Sequence, residues 1–210
     1  LLLHKHGIRH HAADPSRLEG RVPVVVKIQG VPIEDALIVL ARTQRDDINM
    51  FWEKLDVAQT TKALVDDFDL AADTGALGFL SVHSQNFDEG SVLRQAMPTF
   101  LTHLQARKNQ VWLASSGQVA QWWRDRERVS ISSSVSGKRL DFNLTVKGVE
   151  PVNGAALIVM LPQKGMLPLV RSTKIGAVVP KVTKLDDYRA MLIFETLKPG
   201  DYVFQASFSG

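Results

Sequence analysis

The sequence predicts an α/β chain built in two parts, an α/β portion over residues 1–128 and an all-β portion over residues 129–210. In the first part, the short apolar runs Val22–Ile28, Ala36–Ala41, Leu77–Val82 and Val111–Leu113 alternate with helical patterns. Continuous apolar runs suit strands covered on both faces, and their alternation with helices suits parallel βα units. In the second part, about seven short strand-like segments at regular spacing suggest a β-sandwich. With 45% hydrophobic and 22% charged residues over 210 positions, the chain can bury a core, so wholesale disorder is not expected.

Taken in order, Gly7–His10 reads as a short strand, and Val22–Ile28 and Ala36–Ala41 as buried strands. Asp46–Leu55 and Val57–Ala72 read as helices; in the second, Leu64, Phe68 and Ala71 fall on one face. Gly75 follows as a C-cap. Leu77–Val82 is a strand, and Pro98 can open a helix whose apolar face holds Phe100, Leu101 and Leu104. Val111–Leu113 is the next strand. Ser115-x-x-Gln118 is a capping box, and its helix runs through Val119, Trp122 and Trp123 to about Glu127.

Beyond Arg128 the strand-like segments are 129–135, 139–146, 155–161, 167–171, 177–184, 190–195 and 201–207. Leu140, Phe142, Leu144 and Val146 alternate with polar residues, which predicts an antiparallel strand with one wet face. Turns carry Ser136-Gly137, Asn153-Gly154 and Lys198-Pro199-Gly200.

The net charge of +3 is thinly spread. Residues 1–128 carry 15 basic and 16 acidic side chains, and residues 129–210 carry 10 and 6. No run of five basic residues occurs, so a solvated surface is expected, with no nucleic-acid partner. No 18-residue uncharged apolar run occurs, so no membrane span is expected. Leu1–Leu3, followed at once by His4-Lys5-His6, is too short for a signal-peptide core. The absence of cysteine excludes disulfides, thiolate zinc sites and cysteine nucleophiles, and suits the periplasm or cell surface as well as the cytosol. Gly-x-Ser-x-Gly is absent, which argues against a hydrolase using Ser84 or Ser115.

Chemistry in βα architecture collects where strands end. His10, His11 and Asp14 follow the first strand, Arg42 to Asp47 the third, His83-Ser84-Gln85-Asn86 the fourth, and Ser115-Ser116 the last. His83 ends an apolar strand, where a polar ring is costly without a partner. It reads either as a general acid or base or as a structural histidine bonded to a neighbouring carbonyl. In Asp46-Asp47, one carboxylate could orient an imidazole and the other could cap a helix over Ile48–Leu55. Arg42 and Arg45 could pair with these carboxylates or hold a substrate oxygen. The histidines at positions 4, 6, 10 and 11 read as an exposed terminal segment sooner than as metal ligands, because no HExxH-type signature is present. Trp122-Trp123 reads as a packing anchor or as a sugar-stacking platform.

The segment from Ala36 to Val129 resembles the C-terminal part of a polysaccharide deacetylase domain of the NodB-homology type, carbohydrate esterase family 4. The resemblance rests on Phe79-Leu80-Ser81-Val82-His83-Ser84-Gln85, Arg45-Asp46-Asp47, Val111-Trp112-Leu113-Ala114-Ser115-Ser116 and Gln121-Trp122-Trp123-Arg124-Asp125-Arg126. It implies the C-terminal portion of a distorted (β/α)7 barrel, followed here by a β-sandwich. It also implies a hydrolase that removes acetyl groups from amino sugars or their polymers with a divalent metal, usually zinc, that polarises the carbonyl and activates water. His83 matches the late histidine that protonates the leaving amine, and Asp46 or Asp47 the aspartate that tunes it. Arg42, Arg45, Gln85 and Trp112 are the expected substrate contacts. The acetylated glycan is the expected partner, and the periplasm, secretion or cell surface the expected location.

The family's early aspartate pair and His-x-x-x-His metal motif are absent here. Two explanations follow: a C-terminal fragment whose metal-binding half is missing, as the Leu1 start suggests, or a degenerate relative that binds glycan without catalysis. On either, this chain alone is expected to be inactive. Its partner could then be the missing N-terminal half of the barrel, since an incomplete barrel exposes strand edges.

Overall fold

The computed structural model describes residues 2–13, 22–42, 45–173 and 178–208. Asp14, Thr43, Gln44 and the start of the strand expected at 177–184 lie outside the described residues. Among the described residues helices mix with three open β-sheets, and the chain divides into two compact units, Leu1–Trp123 and Arg124–Gly210.

The first unit holds a three-stranded sheet of β1 (His10–Ala13), β2 (Val24–Val26) and β3 (Leu37–Ala41) in the order β1-β3-β2. β1 runs parallel to β3, with His10 opposite Ile38 and Ala13 opposite Ala41. β2 runs antiparallel to β3, with Val24 opposite Val39. The central strand β3 buries Leu37, Ile38, Leu40 and Ala41, which accounts for its uninterrupted apolar run. The expected strand at Gly7–His10 begins only at His10. His4 sits in the short helix α1 (Leu2–Lys5), so His4 and His6 do not share a strand face.

Helix α2 (Asp47–Trp52) is shorter than expected, and Lys54 beyond it takes a left-handed φ of 55°. Asp56 opens α3 (Val57–Thr74): its carboxylate accepts from the Gln59 N–H at 2.8 Å while Gln59 Oε1 accepts from the Asp56 N–H at 3.0 Å. Gly75 ends α3 at φ 67°, a conformation glycine adopts without strain. Helix α4 (Val92–Ala106) starts at the Ser91 cap, so Pro98 lies inside it rather than opening it. Helix α5 (Ser116–Glu127) begins at the expected capping box, with the Ser115 N–H donating to Gln118 Oε1 at 2.8 Å.

Leu77–Val82 and Val111–Leu113 were expected as strands, but neither joins a sheet. Their sequence meets the side-chain requirement of a strand; a ladder also needs a neighbouring backbone. Leu64, Met50, Leu93, Ala96 and Phe100 form one core cluster, on which Leu80 packs. Ile38, Leu40 and Ala120 form another, on which Leu77 and Phe79 pack.

The second unit contains seven described strands. β4 (Val129–Ser136), β5 (Arg139–Val146), β7 (Leu169–Ser172) and β10 (Gly200–Ser207) form an antiparallel sheet in the order β4-β5-β10-β7. β6 (Val152–Met160), β8 (Lys181–Lys184) and β9 (Arg189–Leu197) form a second, ordered β6-β9-β8. Inward side chains of both sheets share one core, including Phe142, Leu144, Leu192, Phe194 and Phe204. The alternation read in β5 follows this core: Phe142, Leu144 and Val146 are buried. Arg128 is buried too, and its guanidinium donates to the Lys147 carbonyl at 2.9 Å, to the Glu150 carbonyl and to Asp125 at 2.9 Å.

Candidate acid–base site

The site is built where β3 gives way to α2. Two consecutive aspartates there face different tasks. Asp46 is the N-cap of α2: its Oδ1 accepts from the Asn49 N–H at 2.8 Å, and Asn49 Oδ1 accepts from the Asp46 N–H at 3.1 Å. This reciprocal pair satisfies two otherwise orphaned donors of the helix end. Asp47, one residue on, is the first residue of the helix and is only 4% exposed.

The Asp47 carboxylate accepts three hydrogen bonds. Oδ1 takes one from His83 Nδ1 at 2.9 Å; Oδ2 takes one from the His83 backbone N–H at 2.8 Å and one from Asn86 Nδ2 at 2.8 Å. A buried carboxylate would ordinarily rise in pKa through loss of solvation. Here the donors outweigh burial, and Asp47 is held below the usual aspartate value.

Local geometry explains how His83 and Asn86 reach one acid. His83 is extended, at φ −87° and ψ 134°, and closes the run Leu77–Val82. The single 3-10 turn Ser84–Asn86 follows, and the Asn86 N–H returns to the His83 carbonyl at 3.0 Å. The turn brings a side chain three residues later back to the same carboxylate. Asn86 stands in the strand-end group named from the sequence, but sequence reasoning gave it no role; its signal is a short amide three residues after a strand-ending histidine.

An ionised carboxylate only accepts, so Nδ1 of His83 carries the proton between them. Nε2 is then the atom free for chemistry: an acceptor in the neutral ring and a donor in the imidazolium. The His83 side chain is 39% exposed, so a reactant can approach it. The arrangement is a buried carboxylate that fixes the orientation of a half-exposed imidazole.

The other expected residues are placed less centrally. Arg42 reaches the capping carboxylate of Asp46 at 3.5 Å, and Arg45 pairs with Glu53 at 3.3 Å. Gln85 is exposed in the turn beside His83. Trp112 is 58% exposed and contacts the Trp122 ring with centroids 6.3 Å apart. Among the described residues, no group of three or more histidine, aspartate or glutamate side chains is placed to hold a metal ion. His10 Nε2 lies 3.3 Å from Ser116 Oγ, and His11 Nδ1 lies 2.9 Å from the Ala12 carbonyl, so these histidines have local polar partners.

A second aspartate–histidine pair joins α3 to α4. Asp69 binds His103 Nε2 at 2.8 Å and also Arg107, which reaches Asp73 at 3.2 Å. The His103 ring stands edge-on to Phe68, 5.7 Å between centroids. This carboxylate is shared with a guanidinium, and the group works as a staple between helices.

Comparison of the chain with protein-family models, with curated proteins and with solved structures finds no match. Among the described residues, no helix is long and apolar enough to cross a membrane.

Proposed function

We propose that Asp47 and His83 form the proton-transfer pair of a hydrolase of the carbohydrate deacetylase type, acting on glycans that carry acetylated amino sugars. The observation that carries this reading is the buried Asp47 carboxylate fixed by His83 and Asn86. In this reading water adds to the acetyl carbonyl; as that adduct collapses to acetate, the C–N bond breaks with its electron pair on nitrogen, which takes the proton from His83 Nε2 and leaves as the amine. Asp47 fixes the ring and stabilises the imidazolium before transfer. Asn86 and the His83 N–H keep Asp47 ionised. Asp46 supports the site by capping α2, and Gln85 lies where a sugar hydroxyl could bind. Arg42, Arg45 and Trp112 complete the proposed substrate contacts.

The divalent metal implied by the resemblance, usually zinc, finds no fitting donor set among the described residues. The groups that polarise the acetyl carbonyl belong, in this reading, to polypeptide outside the described residues. The parallel pairing of β1 with β3, with helices alternating along the chain, supports a portion of a deacetylase-like barrel. Two antiparallel sheets sharing one core support a β-sandwich accessory unit. A glycan substrate places the protein in the periplasm or outside the cell.

A second reading, glycan binding without catalysis, draws on the contiguous, solvent-facing rings of Trp112 and Trp122. Acetate release from N-acetylglucosamine oligomers by the full-length protein, which would carry the carbonyl-polarising groups, separates the two. Deacetylation that falls about 10²-fold or more in His83→Ala supports the acid role. Activity indifferent to His83 overturns it. Oligomer binding without turnover, lost in Trp112→Ala, establishes the second reading.

A further inference from the structure

The first unit contains a cavity of about 450 Å³, in the size range of ligand-binding sites. Its walls are mainly apolar, with Asp67 and Gln110 among them, and include Phe68 and Phe100 with the indoles of Trp112, Trp122 and Trp123. Leu77, Gly78 and Leu80 supply one wall, and Val111, Trp112 and Leu113 another. These two walls are the segments that sequence patterning marks as strands and that join no sheet.

The first wall places its side chains as a strand does, without a ladder. Leu77 and Phe79 pack on the β3–α5 cluster, whereas Leu80 packs on the α3–α4 cluster, so side chains alternate between opposite sides. The backbone N–H and C=O groups of Leu80, Ser81 and Val82, and those of Val111 to Leu113, make no hydrogen bond to another described residue. Trp112 and Leu113 are 58% and 59% exposed. Free main-chain donors and acceptors beside an apolar cavity match the requirements of strand addition: backbone pairing supplies affinity, and alternate side chains fill the pocket. An apolar small molecule would fill the cavity and leave the backbone groups unpaired.

We propose that this cavity and its two ladder-free walls are the seat of an added β-strand, an extended segment of a partner polypeptide with apolar residues at alternate positions. Its side chains enter among the three indoles, and its main chain pairs with Leu80–Val82 or Val111–Leu113. The first wall ends at His83, so a strand seated along it reaches the acid–base pair.

The test uses the chain with Trp52→Phe, which removes the exposed indole of α2 and leaves the three cavity tryptophans to report. Three probes are titrated: a capped seven-residue peptide of alternating valine and threonine, the same peptide N-methylated at alternate residues, and decanol. The expected result is a blue shift with the plain peptide, at least tenfold slower amide exchange at residues 80–82 or 111–113, and at least tenfold weaker binding of the methylated form. Ala72→Phe, placed on the cavity wall of α3, is expected to abolish peptide binding while the melting temperature holds or rises. Absence of peptide binding overturns the proposal. Equal binding of the methylated peptide, or decanol binding with no change in amide exchange when the peptide is added, also overturns it and makes the cavity a site for small apolar molecules.

Discussion

Adjacent aspartates in one loop perform different work because a helix start divides them. Asp46 stands outside α2 and satisfies its orphaned amides; Asp47 stands inside it and points at His83. The sequence shows two carboxylates and both tasks, but not which residue takes which. The deciding partner is 36 positions away, beyond the reach of local pattern. The role of Asn86 was unread for the same reason, and so was the burial of Arg128 among carbonyls. Asp47 carries a testable pH dependence. Its folded pKa is depressed, so its contribution to stability is fully present above the ordinary aspartate value of about 3.9 and is lost as the pH falls through the folded value. Urea unfolding from pH 7 down to pH 2.5 should show that acid-side loss in the native chain and a smaller one in Asp47→Asn. Identical pH profiles would show that the three donors do not hold the carboxylate.

Helix ends are where local sequence spoke most clearly. The Ser115–Gln118 box was legible because both partners lie within four residues, and the Asp56–Gln59 box has the same locality. Asp56→Ala should cost about 1 kcal/mol, read as a lower urea midpoint with an unchanged slope. Asp56→Ser should recover most of it. Strand existence was less legible in the first unit, because Leu77–Val82 has the side-chain pattern of a strand and lacks a backbone neighbour. In the second unit the seven described strands fall close to the expected ones, since side-chain alternation and turn residues are local signals, most directly in the β4–β5 and β8–β9 hairpins. The α3–α4 staple adds a second pH effect. The His103 hydrogen bond first, and the Arg107 guanidinium after it, hold Asp69 below its ordinary value against the opposing effect of burial. Acidification through that lowered value should therefore weaken the α3–α4 packing. Amide protection factors along α3 should fall in the native chain as the pH is taken from 7 to below that lowered value, with Asp69→Asn already less protected at pH 7.

At the scale of the whole molecule, the apolar residues are distributed unevenly between two units. The second gathers Phe142, Phe194 and Phe204 into one cluster, with ring centroids 5.0 and 5.2 Å apart about Phe204. The first divides its core into two smaller clusters and leaves Trp112 and Leu113 largely exposed beside its cavity. A close-packed cluster resists truncation, because neighbours held in two hydrogen-bonded sheets cannot collapse into the space left. Phe194, fully buried on β9, is the sharpest probe of this. Phe194→Ala should cost the second unit about 3–5 kcal/mol. All four tryptophans lie in the first unit and both tyrosines in the second, so the two can be followed by separate optical signals. The loss should appear in the β-sheet circular-dichroism transition and the tyrosine signal. A cost below about 1 kcal/mol would mean that the two sheets do not close on Phe194 as a single core, and that the alternation read along β5 marks a separate face.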